Sequence, residues 1–272
     1  MARWDKIKSR GNVTDRRGLA ASGIGGLGIV GIVAVIAFSL LGGGDIDLNS
    51  VLTQLETVQP QSTNQVQPEE FQGEDDYEVF AATVLGSNND VWEQVFENSG
   101  NSYRAPELVL FRDTTNSGCG VATSGVGPHY CPANSTIYID ETFFDVLTEK
   151  FGAQGGDVAE AYVIAHEVGH HVQNELGTLA RSQQSNELAI SVELQADCFA
   201  GIWAYSLKGQ GIFERNEFNE AIDAAEAVGD DRIQEKVQGR VNPESWTHGS
   251  SDDRKKWLQV GYDTGDPAAC TP

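Results

Sequence analysis

The chain has one methionine in 272 residues, and it is Met1. It has five histidines and four cysteines, and no two cysteines form a C-x-x-C pair. Each scarcity excludes something. Without an internal methionine there is no Met-turn, which excludes any site built over one. Without a C-x-x-C pair, a cysteine-held zinc site is a poor reading. Basic residues are also few, 18 against 40 acidic ones, for a formal net charge of −22. Six basic and two acidic residues fall within positions 1–18, so the rest of the chain carries −26. An acidic body repels phosphates, which argues against nucleic acid as a partner. With 40% hydrophobic residues the chain has enough apolar matter for a core.

Charge is missing altogether from Leu19 to Leu41. A helix of that length is roughly 35 Å long, enough to cross a bilayer core of about 30 Å. Arg16 and Arg17 precede the run, and Asp45 and Asp47 follow it. The positive-inside rule then puts the N-terminus in the cytoplasm and the body outside. A cleaved signal peptide is the alternative, but the run is long for one and Gly42-Gly43-Gly44 is a poor cleavage site. The expected plan is a basic cytoplasmic tail over 1–18, a transmembrane anchor over 19–41, a flexible linker over 42–75 and a folded domain over 76–272. The linker is rich in Gln, Ser, Thr and Pro and cannot bury enough surface to order itself. A domain outside the cell membrane can hold disulfides. Four cysteines allow three pairings, and the preferred ones are Cys119–Cys131, closing a Gly-rich loop, and Cys198–Cys270, tying down the C-terminus. No feature fixes an oligomeric state.

The few histidines are concentrated. His166-Glu167-Val168-Gly169-His170 reads H-E-x-x-H, after the apolar run Ala161-Tyr162-Val163-Ile164-Ala165. Residues four apart share a helix face, so His166 and His170 can reach one divalent ion, and zinc suits imidazole nitrogen. Glu167 lies about 100° round the helix, beside the ion, where a carboxylate can take a proton from water. Catalytic zinc usually takes a third protein ligand. Glu193 is the best candidate, on a helix capped by Asn186 with apolar residues at Ile190, Leu194, Ala196, Phe199, Ile202 and Trp203. Asp197 lies one turn on and can accept the free ring N–H of a zinc-bound histidine. A solvated acidic face is the plainer reading of Glu193 and Asp197.

The motif helix is expected from an Asp157 cap to Leu176, with a core stripe of Ala161, Ala165, Val168, Val172 and Leu176. That stripe avoids both motif histidines. Before it, the spacing predicts a helix over 79–85, a second capped by Asn89 or Asp90, strands at 108–111 and 136–140, and a short helix over 143–151. Residues 117–132 read as a Gly-dense loop. After it, helices are expected near 216–228 and 230–239, and another holding Trp257 and Leu258. His248, in a turn before that last helix, is a candidate for steadying an oxyanion, with capping or packing as the alternative. His129 reads as structural or surface, and His171 as pointing away from the metal side.

HExxH followed by a helical Glu-x-x-x-Asp resembles the gluzincin pattern of zinc metallopeptidases. The wider chain resembles the membrane-anchored bacterial proteins called putative neutral zinc metallopeptidases. The matching stretches are Arg3-Trp4-Asp5, Asp15-Arg16-Arg17-Gly18, Cys119-Gly120, Gly127-Pro128-His129-Tyr130-Cys131-Pro132 and Ile137-Tyr138-Ile139-Asp140. They continue with His166 to Gln173, Glu193-Leu194-Gln195-Ala196-Asp197-Cys198 and Thr247-His248-Gly249-Ser250. The long metzincin motif is absent, since Gln173 and Leu176 stand where it needs Gly and His. The resemblance implies a mostly helical α+β, zincin-like catalytic domain with a small sheet, whose edge beside the motif helix holds substrate in extended form. It implies zinc, with His166, His170 and Glu193 as ligands, Glu167 and His248 as catalytic groups and Asp197 behind the metal. The expected activity is hydrolysis of extracytoplasmic peptides or proteins. The alternative is a zinc-stabilised surface binding module without turnover, against which the intact Glu167 argues.

Overall fold

The computed structural model describes residues 1–18, 69–70 and 75–272. A five-stranded sheet and seven α-helices account for most of them. The strands are β1 (Val13–Asp15), β2 (Glu69–Glu70), β3 (Glu107–Leu110), β6 (His129–Cys131) and β7 (Thr136–Ile139). A separate hairpin is formed by β4 (Thr114–Ser117) and β5 (Gly120–Thr123). The helices are α1 (Asp76–Asn98), α2 (Thr142–Glu149), α3 (Asp157–Glu175), α4 (Asn186–Ser206), α5 (Arg215–Ala227), α6 (Asp230–Gln238) and α7 (Ser251–Thr264). This is a mixed α+β fold with helix predominating.

The sheet order is β2-β1-β3-β7-β6. β1, β3 and β7 run parallel, and β2 and β6 pair antiparallel at the two edges. The strand over 136–140 is therefore interior, and all four residues of β7 are buried. The edge nearer the motif helix is β6, inside the segment that reads as a loop. Its three residues are too few to show an alternation, so the sequence gives no strand period there.

Residues 1–18 are part of this body, not a tail. β1 lies between β2 and β3, with Val13 opposite Leu108 and Thr14 opposite both Val109 and Glu70. The Arg3 amide donates to the Ile212 carbonyl, and the Trp4 ring stacks 6.3 Å from Trp203. A single span over 19–41 would put a bilayer between β1 and its neighbours β2 and β3, so a cytoplasmic N-terminus with the folded domain outside does not fit this sheet. Among the described residues, no helix is long and apolar enough to cross a membrane. The single-pass anchor is thus not supported. Residues 19–41 themselves, and nearly all of the expected linker over 42–75, lie outside the described residues.

The two helices expected over 79–98 are one, α1. The polar run Gly86-Ser87-Asn88-Asn89-Asp90 suggests a break, but its polarity serves docking. Ser87 Oγ and Asn88 Nδ2 bond back to the Val84 carbonyl, and the Trp203 indole donates to Ser87 Oγ at 2.8 Å. The N-terminal segment crosses close above: a Cβ on Gly86 would fall 2.5 Å from the Arg10 amide nitrogen.

α3 is capped by Gly156 at φ 115°, one residue before the expected Asp157. It closes through Leu176 into Gly177 at φ 70°. Ala161, Ala165, Val168 and Val172 are at most 1% exposed, whereas Leu176 is 51% exposed where the stripe runs off the core. α3 packs against α1, α4 and α5 and lies beside β6 and β7. It approaches α4 closely at Gly169, where a Cβ would come 2.9 Å from Ala196 Cα and O. α4 is capped by Ser185, whose hydroxyl accepts from the Leu188 amide, not by Asn186. α4 in turn crosses α7 through Gly201, where a Cβ would sit 2.7 Å from the Tyr262 amide nitrogen. These approaches bring α3, α4 and α7 to one place.

Both preferred disulfides are present, Cys119–Cys131 and Cys198–Cys270. They span 12 and 72 positions. By loop-closure entropy the longer is worth about 4 kcal/mol and the shorter about 3 kcal/mol. The double substitution Cys198→Ala/Cys270→Ala is therefore expected to lower the urea midpoint more than Cys119→Ala/Cys131→Ala. Equal or reversed midpoints would show that chain entropy does not set the difference.

Candidate metal centre

α3 and α4 bring His166, His170 and Glu193 together. Nε2 of His166 lies 3.3 Å from Glu193 Oε2, and Nε2 of His170 lies 3.4 Å from Glu193 Oε1. One donor atom from each residue falls within 4.8 Å of the others. Zinc takes imidazole nitrogen and carboxylate oxygen at about 2.0–2.2 Å, so one ion can reach donor atoms this close together. The donor set and its spacing therefore fit zinc. The close approach at Gly169 is what makes this possible, because it lets α4 lay Glu193 across two turns of α3.

The far side of each imidazole fixes which nitrogen is left for a metal. His166 Nδ1 is 2.8 Å from Asp197 Oδ1, and a carboxylate only accepts, so Nδ1 carries the proton. His170 Nδ1 is 2.9 Å from Gln173 Oε1. The orientation of that amide is settled by its Nε2, which donates 2.7 Å to the Val192 carbonyl. Both rings thus leave Nε2, on the Glu193 side, as the atom a metal would take in place of a proton.

The electrostatics favour positive charge at this place. Burial opposes charge on His166, but Asp197 and then Glu193 outweigh it and push its pKa up to about 10. Burial opposes charge on His170 too, and Glu193 raises it. Burial alone would raise Glu193, yet the two imidazoles hold it well below the carboxylate range. A cluster that draws protons this strongly also suits a dication.

Behind the donors is a network the sequence does not announce. Arg254, on α7 and 4% exposed, pairs with Asp197 through Nε at 2.8 Å and a terminal nitrogen at 3.0 Å. The Tyr162 hydroxyl donates to Asp197 Oδ1 at 2.6 Å. Burial would raise the Asp197 pKa, but Arg254 and His166 bring it down to about 2. Arg254 stands in the charged stretch Ser251-Asp252-Asp253-Arg254-Lys255-Lys256. Its burial follows from the α4–α7 crossing. Gln173 and Tyr162 carry a weak signal, at three residues after His170 and four before His166, on the faces of those ligands.

The centre opens into a cleft of about 490 Å³ lined by His166, Glu167, His170, Glu193, His248 and Tyr130 among others. Glu167 is 6% exposed and lines that cleft without being one of the three donors. His248 lines it as well. Its Nδ1 is 3.3 Å from Asp230 Oδ1, while Asp230 Oδ2 accepts from the amides of Thr247, His248 and Gly249 at 2.8, 2.6 and 3.0 Å. The bond to Asp230 raises the His248 pKa, against the effect of burial. His129 also lines the cleft, where the sequence reads a structural or surface residue; it does so because it sits on the edge strand β6, stacked on Tyr138. His171 is fully buried, between Tyr130 and the Arg104 carbonyl, and burial lowers its pKa.

Three donors with a carboxylate beside them in a cleft make the class of centre that a zinc hydrolase uses. The family whose description is "Putative neutral zinc metallopeptidase" matches residues 2–272, and the chain belongs to that family. It is 42% identical over 284 residues to the uncharacterised protein YpfJ of Escherichia coli (strain K12), covering 98% of this chain and 97% of that one. It is 47% identical over 201 residues to the uncharacterised protein Rv2575 of Mycobacterium tuberculosis (strain ATCC 25618 / H37Rv), covering 69% of this chain and 68% of that one. No solved structure matches.

Proposed function

We propose that the chain hydrolyses peptide bonds with a zinc ion held by His166, His170 and Glu193. The observation that carries this reading is the spacing of the three donors, 3.3 and 3.4 Å across the Glu193 carboxylate. Zinc in such a site supplies Lewis acidity and makes water acidic enough to act as a nucleophile near neutral pH. Glu167 takes the proton from the attacking water and hands it to the leaving amine. His248, whose bond from Nδ1 to Asp230 raises its pKa, donates from Nε2 in its protonated form to the oxygen that gains charge. Asp197 and Gln173 hold the imidazoles in register. An extended substrate pairs its backbone with the edge strand β6, which ignores side-chain identity.

The test is a broad peptide-library digest by the purified full chain, with zinc content measured on the same sample. Cleavage is expected with bound zinc, lost with a chelator and restored by added zinc. Bound zinc with no cleavage of any peptide would overturn this reading in favour of a zinc-stabilised binding module.

A further inference from the structure

Tyr130 belongs to β6, opposite Ile137 of β7, and its ring lines the cleft. Its hydroxyl turns the other way, to α3. It lies 3.0 Å from His171 Nδ1 and 3.1 Å from Asn174 Nδ2. The direction of each bond is fixed. His171 Nε2 is 2.6 Å from the Arg104 carbonyl, which only accepts, so Nε2 carries the ring proton and Nδ1 is an acceptor. The Tyr130 hydroxyl therefore donates to His171 and accepts from Asn174. The His171 ring is also wedged edge-on between those of Tyr103 and Tyr130, each centroid 5.4 Å away. His171 follows His170 in sequence, about 100° further round the helix. One turn of α3 thus offers a metal donor on one face and a strand anchor on the next.

We propose that His171, Asn174 and the Tyr130 hydroxyl form a clamp that sets the position of the substrate-pairing edge β6 against the metal-bearing face of α3. The proposal rests on the hydrolase reading for its kinetic consequence, but not for its geometry. All three are positioning residues. The second restraint on the same strand is the disulfide from Cys131 to Cys119, which ties the next residue to the turn between β4 and β5. A backbone pair at β6 is made alike in the ground state and the transition state, so loosening it weakens binding and leaves the chemical step alone.

The experiment uses the zinc-loaded full chain and Tyr130→Phe, which deletes the hydroxyl and keeps the ring. The kinetic probe is a quenched-fluorescent peptide made from a sequence cleaved in the library digest. KM is expected to rise about fivefold, the worth of one net hydrogen bond, with kcat within about twofold and zinc affinity unchanged. Hydrogen exchange at amides 129–131 is expected to quicken while that of 161–170 holds. Asn174→Ala should move both readouts the same way by less. A lower melting temperature with KM unchanged would mean a merely structural bond and would overturn the proposal. If the wild type cleaves nothing, the hydrolase reading fails instead. The exchange data then judge the clamp alone: unchanged exchange at 129–131 sinks it.

Discussion

Glu167→Gln is expected to keep its zinc and lose about a thousandfold or more of its hydrolytic rate. The two halves of that result come from different atoms. In the proposed centre zinc is held by His166, His170 and Glu193, whose donor atoms converge without Glu167. An amide of the same shape leaves those contacts and the packing of α3 in place. It has no proton affinity near neutral pH, so it cannot relieve the attacking water of its proton. Glu193→Gln should do the opposite, weakening zinc binding because it removes the charge that both imidazoles face. Zinc content by elemental analysis, set beside the rate on one peptide, separates the two variants. A Glu167→Gln protein that cleaves as fast as wild type would remove Glu167 from the mechanism.

What the sequence makes legible here is local and periodic. HExxH states its own geometry, because four residues on a helix bring two rings to one face. Glu193 and Asp197 obey the same rule on α4, so their identity can be read, while their meeting with α3 depends on the Gly169–Ala196 contact. The structure places Arg254 against Asp197 through the α4–α7 crossing. Nothing in a charged run marks which of its members will be buried by a crossing 57 residues away. The same limit applies to the sheet. β1 and β3 are separated by over ninety positions, and a three-residue strand has no period to reveal it.

The long uncharged run misleads for a related reason. Hydropathy and flanking charge describe a segment by itself. They take no account of Val13 and Thr14 on one side of it pairing with Leu108 and Val109 on the other. Once those strands share a sheet, residues 1–18 and 75–272 share a compartment. Asn89 and Asp90 mislead on a smaller scale. They look like caps because Asn and Asp favour helix starts. Here the helix continues through them, with Asn88 wholly buried and bonded to the turn before it.

Arg254→Met is expected to cost about 3–5 kcal/mol, because it strands a buried carboxylate without its cation. Asp197 is fully buried and meets Arg254 through two bonds. Methionine fills comparable space but leaves Asp197 only His166 and Tyr162 as partners. Asp197→Asn should also destabilise, since it leaves the Arg254 guanidinium buried and unmatched. The double variant Arg254→Met/Asp197→Asn should lose far less than the two single losses added together, because no lone charge remains. Acidity checks the same pair. The pKa of Asp197 in the folded chain, about 2, lies below its unfolded value of about 3.9. Its contribution is therefore full above about pH 4 and drains away as the pH falls towards 2. Arg254→Met removes one of the two charges that depress it, so the gap between wild type and variant in urea midpoint should narrow from pH 7 to pH 3. A gap of constant width would mean that the substitution acts through lost packing, and that the ion pair behind His166 contributes nothing that pH can reach.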